Sequence, residues 1–489
     1  MSDSREAARR LRGQATILER LEGTGEFKTM VQFWSRVVNQ KNPDWMGVMS
    51  QAKQSESTSM WSFYAMLAYL LFEFGRPQDL LPGLSFFYLG ALSFIALVIA
   101  LVAQGRLDVS ERQTVLFLVL LAFMVLFVPF ARNNYEAFHR TKGMVMTFAC
   151  YLGVITFADS LERIRRLMRF WLGIHLSLAI LGVMKGGVGV GGWLEDENDF
   201  CMELNVAIPF AFFLSTSAPN IKARAAYIVS LGVYILANMA TFSRGGFIGL
   251  ASVGAYCWLR SSRKAISALL VVVVVLLMYG VAPEKYWKEV TSITDDETVD
   301  TGTGGERLYS WGIGWEMFLA NPIMGIGPGN FPWEFGHYEN GRTFHGHSVA
   351  GRQAHSIYFT LFPELGLVGV LLIVSMLISM WKSLRVATKA CDSATHPEHS
   401  RDGQEARLTA HAIEASMIGF LVTSIFISTL YYPTMWVLFG FAVALRKVVS
   451  KCEVEWNGNV DRSEVSGRSP LHVGRKLSAR SSRPPLLGS

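Results

Sequence analysis

The chain has 489 residues, a net charge of +6, 51% hydrophobic residues and 17% charged ones. A soluble chain of this length divides into about three domains, but apolar runs of roughly 16–20 residues recur from Trp61 to Leu445, and each can cross about 30 Å of hydrocarbon as a helix. The cysteines Cys150, Cys201, Cys257, Cys391 and Cys452 are scattered, which excludes a spaced metal site and a disulfide framework.

The first sixty residues are polar, contain Arg5, Arg9, Arg10 and Arg12, and do not resemble a cleavable signal peptide. Met60 is a second candidate start, and the first apolar helix has to direct insertion itself. Helices are expected near residues 61–74, 84–103, 114–131, 143–158, 166–184, 200–215, 224–242 and 245–259. Further helices are expected near 265–282, 356–381, 411–428 and 433–445. The fold class is therefore all-α: a polytopic membrane protein with about twelve transmembrane helices and one large periplasmic loop.

Positive charge sorts these helices. With the N-terminus cytoplasmic, the inside segments hold Arg163, Arg165, Arg166 and Arg169, then Lys222 and Arg224, Arg260, Arg263 and Lys264, and Lys382, Arg385 and Lys389. The tail, with Arg446, Lys447, Arg475, Lys476, Arg480 and Arg483, is also inside. The opposite loops carry Glu195-Asp196-Glu197 and Asp295-Asp296-Glu297. Both termini are thus placed in the cytoplasm. The expected organisation is a polar segment (1–60), helices (61–282), a periplasmic loop (283–354), further helices (355–447) and a basic, disordered tail (448–489) that touches anionic lipid.

The loop holds Trp287, Trp311, Trp315, Trp333, Phe318 and Phe331, an aromatic content foreign to a linker. Leu308, Trp311, Trp315, Phe318 and Leu319 recur at helical spacing, Gly302, Gly304 and Gly305 precede them, and Asn321-Pro322 stops the pattern. Arg307 is expected at this helix's N-terminus. There it either caps a surface helix or, with free amides, holds an anion. Gly325-Ile326-Gly327-Pro328-Gly329-Asn330 follows no strand and reads as a tight turn, not a nucleotide loop.

Ser243-Arg244-Gly245-Gly246 joins two helices, with the glycines expected to allow a sharp reversal. Arg244 is then either a snorkelling interfacial arginine or part of an anion site. His355 begins the next predicted helix, as a structural residue or a general base, with His337, His345 and His347 as competitors. Asn198, Asp199, Arg76, Gln78, Asp79 and Arg352 are further polar groups on the same face. His175 and Glu203, inside helices, are either the ionisable pair of a proton-coupled carrier or, with no ladder of charges along a path, satisfied buried polar groups.

These segments in this order resemble a known family. Ser243-Arg244-Gly245-Gly246 lies between helices, Arg307-x-x-x-Trp311 enters a loop helix, and Pro322 to Phe331 follows. His355 then precedes Glu364-Leu365-Gly366-Leu367-Val368-Gly369. The chain is similar to the O-antigen ligase and polymerase superfamily of bacterial inner-membrane glycosyltransferases. Phe74-Gly75-Arg76-Pro77-Gln78-Asp79 resembles the exosortase-associated, O-glycosylation-ligase-like members.

The resemblance implies transfer of a glycan from an undecaprenyl-diphosphate carrier to an acceptor hydroxyl on a glycolipid, glycan or protein, on the periplasmic side. It implies neither metal nor cofactor, and no nucleic acid partner. Arg244 and Arg307 would bind the diphosphate and stabilise its charge as it leaves, and His355 would orient or deprotonate the acceptor. Arg352, Arg76 and Asn198 are expected substrate-binding residues. Where the family often has Asn after this histidine, the chain has Ser356. A repeat-unit polymerase uses the same residues, and a transporter of lipid-linked glycan is the alternative from another class.

Overall fold

The structure is a computed structural model and describes residues 59–81, 83–105, 108–261, 264–265, 303–392 and 397–467. The expected helix at 265–282, the start of the loop at 283–302 and the polar segment at 1–58 fall almost wholly outside the described residues. Within them the chain is nearly all helical. In chain order, the helices are α1 (Met60–Leu70), α2 (Leu89–Ala103), α3 (Arg112–Phe127), α4 (Asn134–Phe157), α5 (Leu161–Met184) and α6 (Glu197–Thr216). They continue with α7 (Ile221–Ala240), α8 (Arg244–Arg260), α9 (Thr303–Ala320), α10 (Phe331–Glu339), α11 (Ile357–Asp392), α12 (Pro397–Thr423) and α13 (Pro433–Gly467).

Seven helices among the described residues are long and apolar enough to cross a membrane. They are Leu84–Ala103, Arg112–Phe130, Leu161–Met184, Glu197–Thr216, Ile221–Ala240, Ile357–Asp392 and Arg401–Phe426. Two other predicted spans are helical but short. α1 has 11 residues before a 5-residue π turn (Leu71–Gly75), and α8 has 17. α13 continues through the expected boundary at Lys447 to Gly467, so the tail begins as helix. Residues 468–489 lie outside the described residues.

The outer faces of α2 (Leu92, Ile95, Ile99, Val102) and α11 (Leu371, Val374, Ile378) expose large apolar side chains. Rows of this kind suit contact with lipid, whereas an aqueous surface would carry them at a cost. α6 is the opposite case: it is buried along nearly its whole length and packs against α5, α7, α8 and α12. Glu203 and Asn205 on it are paired inside the bundle, as low-dielectric surroundings require. Glu203 meets His175 Nε2 at 3.1 Å and the Thr434 hydroxyl, and His175 Nδ1 lies 2.8 Å from the Trp171 carbonyl. His175 and Glu203 are thus satisfied core residues.

Residues 303–354 form an ordered unit. Ile313, Met317, Ile326, Phe331, Phe335, Val349 and Ala354 make its small core, with Tyr309, Tyr338, Phe344 and Phe359 around it. It is fastened to a break in α11. Gly366 has φ 58° and ψ −161°, which interrupts the helix and frees backbone groups on either side of it. The segment Pro322 to Phe331 takes up those groups. Ile326 N donates to Pro363 O at 2.8 Å and Gly327 N to Glu364 O at 3.0 Å. In return, Leu367 N donates to Pro322 O at 2.8 Å and Val368 N to Ile323 O at 3.1 Å.

The buried Glu364 carboxylate adds a second set of bonds. It accepts from Gly329 N at 2.7 Å, Phe331 N at 3.1 Å and the Tyr431 hydroxyl at 2.6 Å. The glycine-rich run is therefore a docking turn, in keeping with the tight-turn reading.

The break gives a stability prediction. A Cβ on Gly366 would stand 2.5 Å from Ile323 O in a conformation open mainly to glycine. Gly366→Ala should destabilise the chain by about 2 kcal/mol or more. Gly312→Ala, on an exposed helical turn with nothing within 4 Å of the added carbon, should be neutral or gain about 0.5–1 kcal/mol. Thermal unfolding in detergent separates the two, and equal melting temperatures would refute the clamp.

Candidate functional site

Several helix beginnings meet at one end of the bundle. α6 starts with Asp196 as its N-cap, whose carboxylate accepts from Asn198 N at 2.7 Å. α8 starts with Ser243, whose Oγ accepts from Gly246 N at 3.0 Å and donates to Asn198 Oδ1 at 2.8 Å. One hydroxyl thus caps one helix and ties it to the next. Arg244 is the first residue of α8 and is half-buried there.

The chain reversal before α8 is made at Phe242, with φ 52°, and not at the glycines, which are helical. Gly245 and Gly246 serve close packing instead. A Cβ on Gly246 would lie 2.3 Å from Cys201 Sγ, and one on Gly245 3.0 Å from the Phe426 ring. Beneath them Asn205 Nδ2 donates to Gly246 O at 2.9 Å and to Thr423 Oγ1 at 3.1 Å, and Asn205 Oδ1 accepts from Asn238 Nδ2 at 3.0 Å. This buried network joins α6, α7, α8 and α12, and it holds the turn that carries Arg244.

α9 starts at Thr303, so Gly304 and Gly305 lie within its first turn and Arg307 one turn inside the helix. This corrects the expectation that Arg307 stands at the helix N-terminus among free amides. A charge on the side of the helix still reaches the common end of the bundle. Arg307 interacts electrostatically with Arg244, Asp196 and Glu306, and His355 with Arg307, Asp196, Glu306 and Arg352. The structure therefore gathers Arg244, Arg307 and His355 from α8, α9 and the entry to α11. The shallow depression between α5 and α12, lined by Arg165, Leu214 and Glu405, lies at the far end of α6 and touches none of them.

His355 has φ 48°, a left-handed backbone that a non-glycine residue adopts only when its surroundings enforce it. Trp311 enforces it from α9: its Nε1 donates to Ala354 O at 2.8 Å, and its ring stacks on Phe359 at 5.0 Å. Arg352, also on this segment, pairs with Glu306. The imidazole is exposed, yet neighbouring protein withholds part of its water and the Arg307 charge repels a proton. Both effects hold His355 below the usual histidine range, as a neutral base at neutral pH. Partial burial, and then the like charge of Arg244, lower Arg307 as well. Two guanidiniums that repel one another favour an anion between them.

Other expected site residues are placed differently. Asn198 is occupied between Asp196 and Ser243 and holds helix ends together. Arg76, left-handed at φ 48°, pairs with Asp79 at 2.5 Å and lies against Gly192. His337 lies on α10, and His345 and His347 lie in the turn closed by the Phe344–His347 pair. Asp196 was read only as a loop charge, and Glu306 was not singled out. The spacing of Asp196 ahead of a helix was the available signal for its capping role. Ser356 Oγ is buried without a hydrogen-bond partner among the described residues.

The tether on His355 is testable. Trp311→Phe keeps a ring over Phe359 and removes the bond to Ala354 O, at a cost of about 1 kcal/mol. Trypsin cleavage after exposed Arg352 should then speed up by roughly fivefold. Unchanged cleavage would show that the bond does not hold this segment.

No curated protein matches the chain. The family model described as O-antigen ligase matches residues 228–374, a stretch that runs from α7 through Arg244, Arg307 and His355 to the break in α11. Over this stretch the chain is similar to the O-antigen ligase family.

Proposed function

We propose that the chain is an inner-membrane glycosyltransferase that moves a glycan from an undecaprenyl-diphosphate carrier to an acceptor hydroxyl at the periplasmic face. The observation that carries this reading is the convergence of Arg244, Arg307 and His355 at one end of the bundle, inside the matched domain. Two guanidiniums suit a diphosphate, and a neutral imidazole suits a hydroxyl proton.

In the proposed reaction the acceptor oxygen attacks the anomeric carbon from the face opposite the carrier. The new carbon–oxygen bond forms as the bond to phosphate breaks, and the anomeric configuration inverts. The acceptor's proton passes to His355. The departing undecaprenyl diphosphate keeps the electron pair, and its new negative charge is met by Arg244 and Arg307. Fixed positive charge from these side chains does the work that a metal would do elsewhere, so the proposed reaction needs neither metal nor cofactor. Arg352 pairs with Glu306, and holding it is its main role in this reading.

About twelve spans with both termini cytoplasmic remain part of this reading, since they would put these residues on the periplasmic side. A repeat-unit polymerase has the same chemistry and differs in its acceptor, another repeat unit. Product length distinguishes the two: block transfer for a ligase, chain growth for a polymerase.

Arg244→Ala and Arg307→Ala should each lower transfer by about 10²–10³ at matched membrane expression, and His355→Ala by about 10²–10⁴. Full activity in all three variants would overturn the reading, as would wild-type protein that moves lipid-linked glycan without joining it to an acceptor. The neutral imidazole is the working form and its pKa lies below the ordinary 6.5. Transfer should therefore be level at neutral pH and decline only as acidification protonates His355. Arg352→Ala removes a repelling charge and releases Glu306, and both changes favour the imidazolium. The acid limb of the pH–rate profile should then move to higher pH, and an unmoved limb would remove His355 as the titrating base.

A further inference from the structure

Beside the arginine–histidine group lies a second strip of residues that the reaction above does not use. Asp199, in the first turn of α6, is nine-tenths buried. Its Oδ2 accepts from the Tyr432 hydroxyl at 3.1 Å, while its Oδ1 is buried and accepts no hydrogen bond among the described residues. The Tyr432 ring packs on Trp193 at 5.1 Å.

Trp193 follows Gly191 and Gly192, and the Arg76–Asp79 pair lies over both glycines. A Cβ on Gly192 would stand 2.3 Å from the Arg76 guanidinium carbon, so glycine is what lets this pair rest on the turn. The strip runs from Arg76 through Trp193 and Tyr432 to Asp199. It ends beside Asp196, whose charge acts on Asp199, on Arg307 and on His355.

A buried carboxylate oxygen without a donor calls for a hydroxyl or amide partner. The Trp193 indole, joined to Asp199 through Tyr432, offers an apolar face for the C–H side of a sugar ring. The strip's charge selects further: Asp196 repels a diphosphate, and the Arg76 charge is already met by Asp79. A neutral polyhydroxyl group is the ligand that fits. Resting on the transferase reading above, we propose that this strip is the acceptor-sugar subsite. Asp199 Oδ1 accepts a hydrogen bond from an acceptor hydroxyl, and Trp193 covers the sugar's apolar face.

Binding probes test this without a transfer assay. Saturation-transfer NMR on the detergent-solubilised full chain would follow maltose as a neutral sugar, and phosphorus line broadening would follow pyrophosphate as the carrier headgroup. Asp199→Leu should weaken the maltose signal by roughly tenfold, the worth of one buried hydrogen bond, and leave pyrophosphate bound. Arg307→Ala should do the reverse. Asp199→Asn, whose amide oxygen accepts without charge, should fall between wild type and Asp199→Leu.

Absence of maltose binding to wild type, or equal binding to wild type and both Asp199 variants, would overturn the subsite. Should Asp199→Leu lose both probes through misfolding, Asp199→Asn decides: weaker maltose with intact pyrophosphate supports the subsite, and unchanged maltose ends it. Pyrophosphate binding that ignores Arg307→Ala would instead remove the transferase reading, whatever maltose does.

Discussion

The Glu364 carboxylate, buried where α11 breaks at Gly366, is the interaction on which the arrangement of the site rests. It accepts from two backbone amides of the Pro322–Phe331 turn and from Tyr431. The break leaves backbone groups that a hydrocarbon environment cannot satisfy, and the turn satisfies them. One set of bonds thus permits an interrupted helix and fastens the 303–354 unit to it. Because α9 belongs to that unit, the same fastening sets where Arg307 stands relative to His355, at the head of α11.

A second anchoring works from the other side. The Asn205–Asn238–Thr423 network lies below the first turn of α8 and bonds the Gly246 carbonyl. Ser243 above it links α8 to α6. Arg244 is therefore carried on a turn held by three other helices, and Trp311 fixes the segment of His355 from α9. Polar bonds inside an apolar bundle resist exchange with water, so they suit a site in which charges of like sign must stay close.

Much of this was legible in the sequence. Apolar runs marked the helices, since a span has to be continuously apolar, and Asn321-Pro322 marked the end of α9 at Ala320. Ser243-Arg244, Arg307 and His355 stood out as charged or polar groups next to predicted helix ends. Less legible were features set by neighbours distant in sequence. The glycines after Arg244 read as a reversal but serve contact with Cys201 and Phe426. Asp196 read as a loop charge but caps α6 and acts on both Arg307 and His355. Arg76 read as part of the site but is taken up by Asp79.

The sequence by itself determined that the chain is helical and apolar enough for a membrane, and which residues carry charge at the helix ends. Those properties are local: they follow from hydrophobic period, cap residues and breakers within a few turns. Only the tertiary structure decided that Arg244, Arg307 and His355 share one electrostatic field, and that Asp199 and Trp193 lie beside it. Their positions depend on hydrogen bonds between segments as far apart as Asn205 and Thr423, and no local pattern in the chain encodes such pairings.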